Sequence, residues 1–254
     1  MAVSRRQALK QATLAAAFAQ GMIAPAAVAQ PKRQIRLVIL DIGGTIIQDH
    51  GEVPNAMHDA LAQHGVDASF AEIGDWRGAS KREMVRHFVQ LRKGSADPSL
   101  VAAIYDHFVD QVNKAYEKVR PIDGAEEAMS QMRRDGYMLA TTTGFDRPVT
   151  EAILGRLGWK HFFVASITSD DVVDGRPAPY MLFHAMEAAR VDNVAEAIAV
   201  GDTPLDIQAA NNGGLASAIG VYSGAATEAR LRKEKYSHIL PSVASLPALL
   251  RGGL

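Results

Sequence analysis

Residues 35–45 read IRLVILDIGGT, an apolar-rich run that ends on an aspartate and a glycine turn. Such a continuous run is typical of a strand that is buried on both faces of a parallel sheet. Similar runs at residues 137–140 and 197–200 are each followed by small polar residues and glycine. Weaker apolar runs occur at residues 162–167 and 216–222. The pattern therefore predicts a sheet of buried, parallel strands.

Helical patterns separate the predicted strands. They occur at residues 124–134, 149–157 and 178–189. This alternation predicts a Rossmann-like α/β fold with a doubly wound parallel sheet. Right-handed crossovers place the carboxyl ends of all strands at one edge of the sheet, where ligands bind. We therefore expect Asp41, Thr143 and Asp202 to lie close together.

The segment at residues 50–121 interrupts the alternation, because it shows helical spacing without a strand-like run. The helical patterns span residues 55–63, 81–92 and 98–118. We predict an all-helical cap at residues 50–121, inserted into a core formed by residues 30–49 and 122–254. The long amphipathic stretch at residues 98–118 would allow a homodimer through the cap, or would pack within one chain.

The composition excludes several classes of protein. The 254 residues are 48% hydrophobic and 22% charged, which is typical of a globular protein and not of a disordered or multi-span membrane chain. The formal net charge of −1 gives no basic excess for binding a nucleic-acid backbone. Because the chain has no cysteine, disulfides, zinc–thiolate sites and a thiol nucleophile are excluded.

Residues 4–10 read SRRQALK and precede an Ala-rich apolar run and the sequence Ala27-Val28-Ala29. This is the layout of a signal peptide, and the paired arginines resemble a twin-arginine (Tat) export signal. We expect the Tat machinery to export the chain and residues 1–29 to be cleaved, which leaves a periplasmic protein without stable membrane insertion. The alternatives are an uncleaved anchor, or a mis-assigned start codon and a cytoplasmic protein.

Four motifs, in order, resemble those of the haloacid dehalogenase-like (HAD) superfamily. Asp41-Ile42-Gly43-Gly44-Thr45 resembles its nucleophile loop, D-x-x-G-T. The other three motifs are Thr141–Thr143, Gly175–Pro179 and Gly201–Asp206. The resemblance implies that Asp41 is a nucleophile, because a carboxylate splits phosphoryl transfer into formation and hydrolysis of an aspartyl-phosphate.

The resemblance also implies a Mg²⁺ site. Attack by a carboxylate on an anionic substrate requires a cation, and hard oxygen ligands in this setting favour Mg²⁺. The implied ligands are Asp41, the backbone carbonyl of Gly43, Asp202, and Asp206, which would orient a bound water. The Thr143 hydroxyl and the Gly144 amide would hold phosphoryl oxygens, and Arg176 would supply fixed positive charge in the transition state.

Gly43 separates this chain from most HAD phosphatases, which carry a second aspartate there to protonate the leaving oxygen. The phosphonatase branch has a small residue at this place, because its leaving group is carbon and it cleaves a C–P bond. Arg176, in place of the usual lysine, and the sequence Gly78-Ala79-Ser80-Lys81 are similar to that branch. The resemblance makes Lys81 the candidate Schiff-base lysine, and Gly78 and Arg77 candidate substrate-binding residues.

The local sequence favours a neutral amine at Lys81. Ser80-Lys81-Arg82-Glu83 reads as an S-x-x-E capping box, which places Lys81 in a first helical turn where the helix dipole opposes its charge. Lys81 shares a helix face with three apolar residues, Met84, Val85 and Phe88, and Arg82 adds a like charge. A neutral amine can attack a carbonyl to form an iminium. The alternative is a lysine that extends from the edge of this face into solvent.

The similarity to phosphonatases ends at three positions. Met84 stands where that branch has an acid/base histidine, Arg77 where it commonly has methionine, and Phe145 where it has tyrosine. His87 is more typical of an exposed or structural histidine than of a replacement. Besides hydrolysis of a small phosphonate, two hypotheses stay open. They are a phosphomonoesterase of the phosphoglycolate phosphatase type, acting on a small phosphate ester, and a non-catalytic phosphate- or phosphonate-binding protein.

Overall fold

A six-stranded parallel sheet lies at the centre of residues 34–254, the part of the chain that the computed structural model describes. Its strands are β1 (Leu37–Asp41), β2 (Met138–Thr142), β3 (Ala165–Ile167), β4 (Ala197–Gly201), β5 (Ser217–Val221) and β6 (His238–Leu240). They lie in the order β3-β2-β1-β4-β5-β6, and every neighbouring pair is parallel. The predicted α/β sheet is confirmed, whereas the predicted export signal at residues 1–29 lies outside the described residues.

The central strand β1 shows why the sequence lacks polar alternation. Val38 and Leu40 belong to one hydrophobic cluster, and Leu37 and Ile39 belong to another. All four side chains are completely buried. A strand covered by helices on both faces has no solvent side, so its first four residues are all apolar and only Asp41, at its carboxyl end, is charged.

Two parts of the sheet differ from the sequence prediction. The strand predicted at residues 162–167 is limited to β3, because Trp159–Phe162 form a 3-10 turn that buries Trp159 and Phe162. The sequence does not predict β6, a three-residue edge strand whose residues are only partly buried. Such a short strand carries too few residues for a hydrophobic pattern.

Between β1 and β2 the chain forms helices and contributes no strand to the sheet, as predicted for an inserted helical cap. The helices before Pro121 are α1 (Glu52–Gln63), α2 (Phe70–Asp75), α3 (Lys81–Lys93) and α4 (Pro98–Ala115). The six-residue helix α2 is not predicted from its periodicity, but a capping box between Ser69 and Glu72 stabilises its start. Beyond α4, Tyr116–Lys118 continue as a 3-10 turn. The cap boundaries at residues 50 and 121 stay a prediction.

The two chain segments that join the cap to the core run side by side. The backbone N–H of Gln48 donates to the carbonyl of Arg120 at 2.9 Å, and Ile47 pairs with Pro121. The apolar face of α4 packs against α1 and α3. Because packing within one chain covers this face, it supplies no surface for pairing, and a homodimer through the cap stays a prediction.

The remaining helices flank the sheet. They are α5 (Ala125–Arg134), α6 (Arg147–Arg156), α7 (Tyr180–Ala188), α8 (Pro204–Asn212), α9 (Glu228–Leu231) and α10 (Leu246–Gly252). The helix predicted at residues 149–157 begins at Arg147, because the Asp146 side chain caps it by accepting from the N–H of Val149. Within residues 34–254, no helix has the length and apolar content needed to cross a membrane.

Candidate active site

The carboxyl ends of the central strands bring the acidic residues of the predicted site together. Asp41 is the last residue of β1, and Asp202 directly follows β4. The order of the strands reverses between β1 and β4, which is where ligands of open α/β sheets bind. Asp206 joins them from the first turn of α8. One carboxylate oxygen from each of the three aspartates lies within 4.8 Å of the others.

Arg176 holds two of these carboxylates. Its Nη1 lies 2.8 Å from Oδ1 of Asp41 and 2.7 Å from Oδ1 of Asp206. Its Nη2 donates to the backbone carbonyl and the hydroxyl of Thr142, at 2.9 and 2.8 Å. These four contacts bury the guanidinium and fix it beside the candidate nucleophile.

Burial changes the protonation of the acidic cluster. It raises the pKa of the Asp41 carboxyl from 3.8 to about 6, although the charge of Arg176 opposes this shift. Burial also raises the pKa of Asp202 well above 3.8, and the neighbouring Asp41 and Asp206 carboxylates add to the effect. The charge of Arg176 therefore does not offset the burial of Asp41 and Asp202, which is the condition that a divalent cation would relieve.

The donor set fits Mg²⁺. Three buried carboxylates within reach of one another offer hard oxygen ligands, and Gly43 borders the same cleft between cap and core as Asp41 and Asp202. The next residue, Gly44, has φ +76°, and a Cβ there would lie 2.3 Å from Oδ2 of Asp202. Only glycine therefore allows the nucleophile loop to approach this aspartate so closely.

Two of the carboxylates are also fixed by the segments that follow β4 and β5. The backbone N–H and hydroxyl of Thr203 donate to Oδ2 of Asp206, at 3.0 and 2.7 Å. The backbone N–H of Ala225 donates to Oδ2 of Asp202. The orientation of each acid is thus set by backbone groups of the core.

Thr143 and Gly144 lie where the cap meets the core. The hydroxyl of Thr143 accepts a hydrogen bond from the N–H of Phe145 at 3.2 Å, and its side chain is almost completely buried. A Cβ at Gly144 would lie 2.2 Å from the carbonyl oxygen of Ala79. The absence of a side chain at Gly144 therefore lets the cap loop rest on the core.

Lys81 begins helix α3, and Ser80 caps it as predicted by accepting from the N–H of Glu83 at 3.4 Å. The second half of the predicted capping box is wrong. The Glu83 carboxylate instead accepts from the N–H of Gly175 at 3.4 Å, so it links the cap to the loop that carries Arg176. For the Glu83 carboxylate, a hydrogen bond to a residue distant in sequence has therefore replaced the predicted local contact of the capping box.

The Lys81 amine is buried inside the cleft, with only 6% of the residue exposed. Its Nζ donates to the carbonyl of Ala79 at 3.0 Å and lies 5.3 Å from the centroid of the Phe145 ring. Burial lowers its pKa from 10.5 to about 8, the Asp41 carboxylate opposes the shift, and the charges of Arg176 and Arg77 add to it. The alternative of a lysine that extends into solvent is therefore wrong.

Three other residues of α3 that lie close to Lys81 in sequence have different surroundings from one another. Arg82, expected to add a like charge, turns away and stacks on Tyr105, with its guanidinium carbon 4.0 Å from the ring centroid. His87 is exposed and stacks on Trp76 at 4.7 Å between centroids, as expected of a structural histidine. Met84 is buried and borders the cleft, where it offers no proton.

Arg77 and Gly78 form the loop that leads into α3. The Nη2 of Arg77 donates to Oδ2 of Asp49, an acid in the linker between β1 and α1. Gly78 has φ +88°, and a Cβ there would lie 2.4 Å from the hydroxyl of Thr203. Sequence reasoning missed Asp49, because no motif marks an acid whose partner lies 28 residues away.

A cleft lies between the cap and the core. It is bordered by eight of the sequence-predicted site residues: Asp41, Gly43, Arg77, Gly78, Lys81, Thr143, Gly144 and Asp202. Arg176 and Asp206 do not border the cleft, because they lie behind Asp41. Arg176 contacts the Asp41 carboxylate, and Asp206 contacts the Arg176 guanidinium. The charge of Arg176 therefore acts through Asp41 rather than by direct contact with a molecule in the cleft.

Comparison with known proteins agrees with this arrangement. Residues 35–214 match the model of the haloacid dehalogenase-like hydrolase family. The chain is 30% identical over 198 residues to a phosphonoacetaldehyde hydrolase of Paraburkholderia xenovorans, with 72% of this chain and 73% of that protein covered. It is 27% identical over 219 residues to a plasmid-encoded phosphoglycolate phosphatase of Cupriavidus necator, with coverage of 84% and 92%.

A solved structure shares the fold. The phosphonoacetaldehyde hydrolase-like protein of Oleispira antarctica superposes with a TM-score of 0.76 at 20% identity, and the alignment covers 87% of this chain and 93% of that one. The family match extends over more than two thirds of the chain, from β1 to the end of α8. The relatives above include a phosphonatase and a phosphatase, and the hypothesis of a non-catalytic binding protein finds no support among them. The protein is a hydrolase and belongs to the haloacid dehalogenase-like family.

Proposed function

We propose that the protein is a Mg²⁺-dependent hydrolase that cleaves the C–P bond of a small carbonyl-bearing phosphonate through an aspartyl-phosphate on Asp41. The observation that carries this proposal is the buried Lys81 amine, which borders the same cleft as Asp41. An amine with a pKa near 8 is partly neutral at neutral pH, which is the form that attacks a carbonyl. The similarity to a phosphonoacetaldehyde hydrolase supports the same reaction.

The proposed reaction begins at Lys81. Its neutral amine attacks the carbonyl carbon of the substrate, and loss of water leaves an iminium. Asp41 then attacks phosphorus, the C–P bond breaks, and its electron pair flows into the iminium to give an enamine. The enamine takes a proton from water at carbon, hydrolysis of the resulting iminium frees Lys81, and a second water releases phosphate from Asp41.

The other residues of the cleft bind and orient. Mg²⁺ held by Asp41, Asp202 and Asp206 would neutralise the repulsion between the nucleophile and the phosphonate. Arg176 holds the Asp41 carboxylate at 2.8 Å and so fixes the attacking group. Thr143 and Gly144 border the cleft at the end of β2, where they would contact the phosphoryl oxygens. No acid is needed at Gly43, because the leaving group is a stabilised carbon.

Borohydride trapping tests this proposal. We expect sodium borohydride added with phosphonoacetaldehyde to reduce the iminium and leave a covalent adduct on Lys81, which peptide mass spectrometry would locate. The variant Lys81→Met keeps the volume of the side chain and removes the amine, so it should lose both the adduct and phosphate release. An unlabelled wild-type protein together with an active Lys81→Met variant would remove the amine from the reaction.

A second candidate is a small-molecule phosphomonoesterase. Two observations favour it: the similarity to a phosphoglycolate phosphatase, and the free space at Gly43, where a Cβ would meet only Cε2 of Phe145, at 3.9 Å. This candidate predicts phosphate release from 2-phosphoglycolate by both the wild type and Lys81→Met. It also predicts that Gly43→Asp, which restores an acid/base group, raises the rate of ester hydrolysis about 100-fold.

The variant Gly43→Asn is the matched control, because it fills the same space and transfers no proton. Equal rates for Gly43→Asp and Gly43→Asn would show that the added carboxyl does not act as an acid. If the wild type also turns over phosphonoacetaldehyde and not 2-phosphoglycolate, the phosphomonoesterase candidate is rejected.

We also propose that residues 1–29 direct export through the Tat machinery to the periplasm. The paired Arg5 and Arg6 ahead of the apolar run support this proposal. Conversion of both residues to lysine should retain the full-length protein in the cytoplasm, whereas Lys10→Arg should not, and cell fractionation measures the difference. Equal distribution of the wild type and the double variant would contradict the proposal.

A further inference from the structure

Arg77 is the cationic residue of the cap that lies at the seam between cap and core. The turn that carries it rests on the core through Gly78, whose missing Cβ leaves room for Thr203. Its side chain borders both the catalytic cleft and a neighbouring groove that contains Gln208 and Arg230. Arg77 therefore lies where the catalytic cleft adjoins this groove.

Most of the hydrogen-bonding capacity of Arg77 is unused. A guanidinium has five N–H donors, and Nη2 of Arg77 makes the ion pair with Asp49. Among residues 34–254, Nε and Nη1 of Arg77 have no hydrogen-bond partner. The Arg77 side chain is 25% exposed, whereas that of Asp49 is 8% exposed. Asp49 thus positions the guanidinium, and its remaining donors are available to a ligand.

Charged and reactive groups follow one another along the cleft. Asp41, Asp49, Arg77 and Lys81 all border this one cleft. A small molecule with phosphorus at Asp41 and a carbonyl at Lys81 would therefore lie in the same cleft as the Arg77 guanidinium. The planar fork of a guanidinium is complementary to a carboxylate, which it can bind through two parallel hydrogen bonds.

We propose that Arg77 determines specificity by binding a carboxylate at the end of the substrate remote from phosphorus, so that the preferred substrate class is a carboxylated carbonyl phosphonate. This proposal rests on the proposed function for the identity of the phosphonate. Cleavage of such a molecule follows the steps given above, with the C–P electron pair passing into the iminium on Lys81. The products are phosphate and an oxo acid.

Equilibrium binding tests the carboxylate subsite without turnover. The probes are 3-phosphonopropionate and propylphosphonate, which have similar length, differ by one carboxylate, and lack the carbonyl that Lys81 would attack. By calorimetry with Mg²⁺ present, we expect the wild type to bind 3-phosphonopropionate at least about 10-fold more tightly. The variant Arg77→Met should lose this preference and retain its affinity for propylphosphonate.

Asp49 and Arg92 provide the control variants. Asp49→Asn frees a further donor of Arg77 and removes a competing anion, so it should increase the preference for the carboxylate. Arg92→Met removes another ion-paired arginine of the cap, which pairs with Glu72 and does not border the cleft, and should leave the preference unchanged. If Arg77→Met fails to fold because Asp49 loses its partner, the double variant Asp49→Asn/Arg77→Met replaces it.

The outcomes separate this proposal from the proposed function. Equal affinity of the wild type for both probes, a preference that persists in Arg77→Met, or no binding of either probe would overturn the carboxylate subsite. A preference that disappears in Arg77→Met supports the subsite, even if borohydride fails to trap Lys81. In that case the carboxylate subsite is supported, and only the proposed cleavage of the C–P bond is rejected.

Discussion

At the scale of single residues, Lys81 illustrates how the fold sets reactivity. The residue combines a charged group with an almost complete loss of solvent, and its one hydrogen bond goes to a neutral carbonyl, that of Ala79. The opposite charge that acts on it most strongly is Asp41, which only partly compensates for burial. Such a site stabilises the neutral amine at the expense of the folded state.

The buried amine predicts a stability difference that depends on pH. The pKa of Lys81 is about 8 in the folded protein and 10.5 in the unfolded chain, so the destabilisation by the buried charge is complete below pH 8 and decreases as the pH rises from 8 to 10.5. We expect Lys81→Met to raise the free energy of unfolding at pH 7 by about 2 kcal/mol, since relief of roughly 3 kcal/mol is partly offset by the lost hydrogen bond.

Urea unfolding of the wild type and Lys81→Met, at pH 7 and at pH 10.5, measures this difference. Most of the advantage of the variant should disappear at the higher pH, where the amine is neutral in the folded protein and about half neutral in the unfolded chain. A difference that does not change with pH would mean that packing, and not charge, governs the effect.

At the scale of elements, the end of strand β2 places two adjacent threonines in opposite situations. The hydroxyl of Thr141 is completely buried and has no hydrogen-bond partner among the described residues. The hydroxyl of Thr142 accepts from Nη2 of Arg176 at 2.8 Å. The Thr141 hydroxyl therefore destabilises the strand, whereas the Thr142 hydroxyl helps to orient Arg176 in the site.

This contrast predicts opposite outcomes for two equivalent substitutions. Thr141→Val replaces an unsatisfied hydroxyl by a methyl group of the same shape, so we expect a gain of about 1 kcal/mol in unfolding free energy and unchanged activity. Thr142→Val removes an acceptor from the buried Arg176 and should lower both stability and kcat. Thermal unfolding and steady-state assays of the two variants check this, and a loss of stability in Thr141→Val would reveal a partner for its hydroxyl.

The same scale shows how far the sequence predicts the structure. Runs such as residues 35–40 are predictable because burial on both faces leaves a continuous apolar pattern, and their ends locate Asp41 and Asp202. Short elements such as α2 and β6 are not predictable, since too few of their residues are buried to give a period. Glu83 shows a further limit, because its partner, the N–H of Gly175, lies 92 residues away and outcompetes the local capping contact.

Long-range charge pairs were the least predictable part of the site. The motifs identify Arg176 but not its position behind Asp41, which depends on the packing of the loop after β3. Asp49 carries no motif at all, and only the folded linker brings it to Arg77. Residues that belong to a motif could be assigned a role from the sequence. The ion pairs and hydrogen bonds that they make with other segments depend on how the cap packs on the core.

At the scale of the whole molecule, the seam between cap and core depends on glycines that let backbone and side chains approach closely. Gly144 meets the carbonyl of Ala79, and the backbone N–H of Lys81 donates to the carbonyl of Gly144 at 3.2 Å. Contacts this short leave no room for a methyl group. The seam is therefore set by the backbone on both sides.

Substitution at this seam should separate the cap from the core. We expect Gly144→Ala to force the loop of Ala79 away, to lower kcat/KM by at least about 10-fold, and to increase proteolysis within the linkers, while the core stays folded. Gly74→Ala is the matched control, because a Cβ at Gly74 meets nothing within 4 Å. Equal activity and equal proteolysis of the two variants would show that the seam tolerates the added methyl group.

The burial of Lys81 has a consequence for which aldehydes its amine can react with. The amine is dry only because the Phe145 ring and the Gly144 loop of the core lie against the start of α3. Any opening of the cap would return water to the amine and restore its affinity for a proton. In the open enzyme, Lys81 would therefore be protonated and unreactive toward unbound aldehydes. Closure of the cap over a bound molecule would restore the neutral, reactive amine.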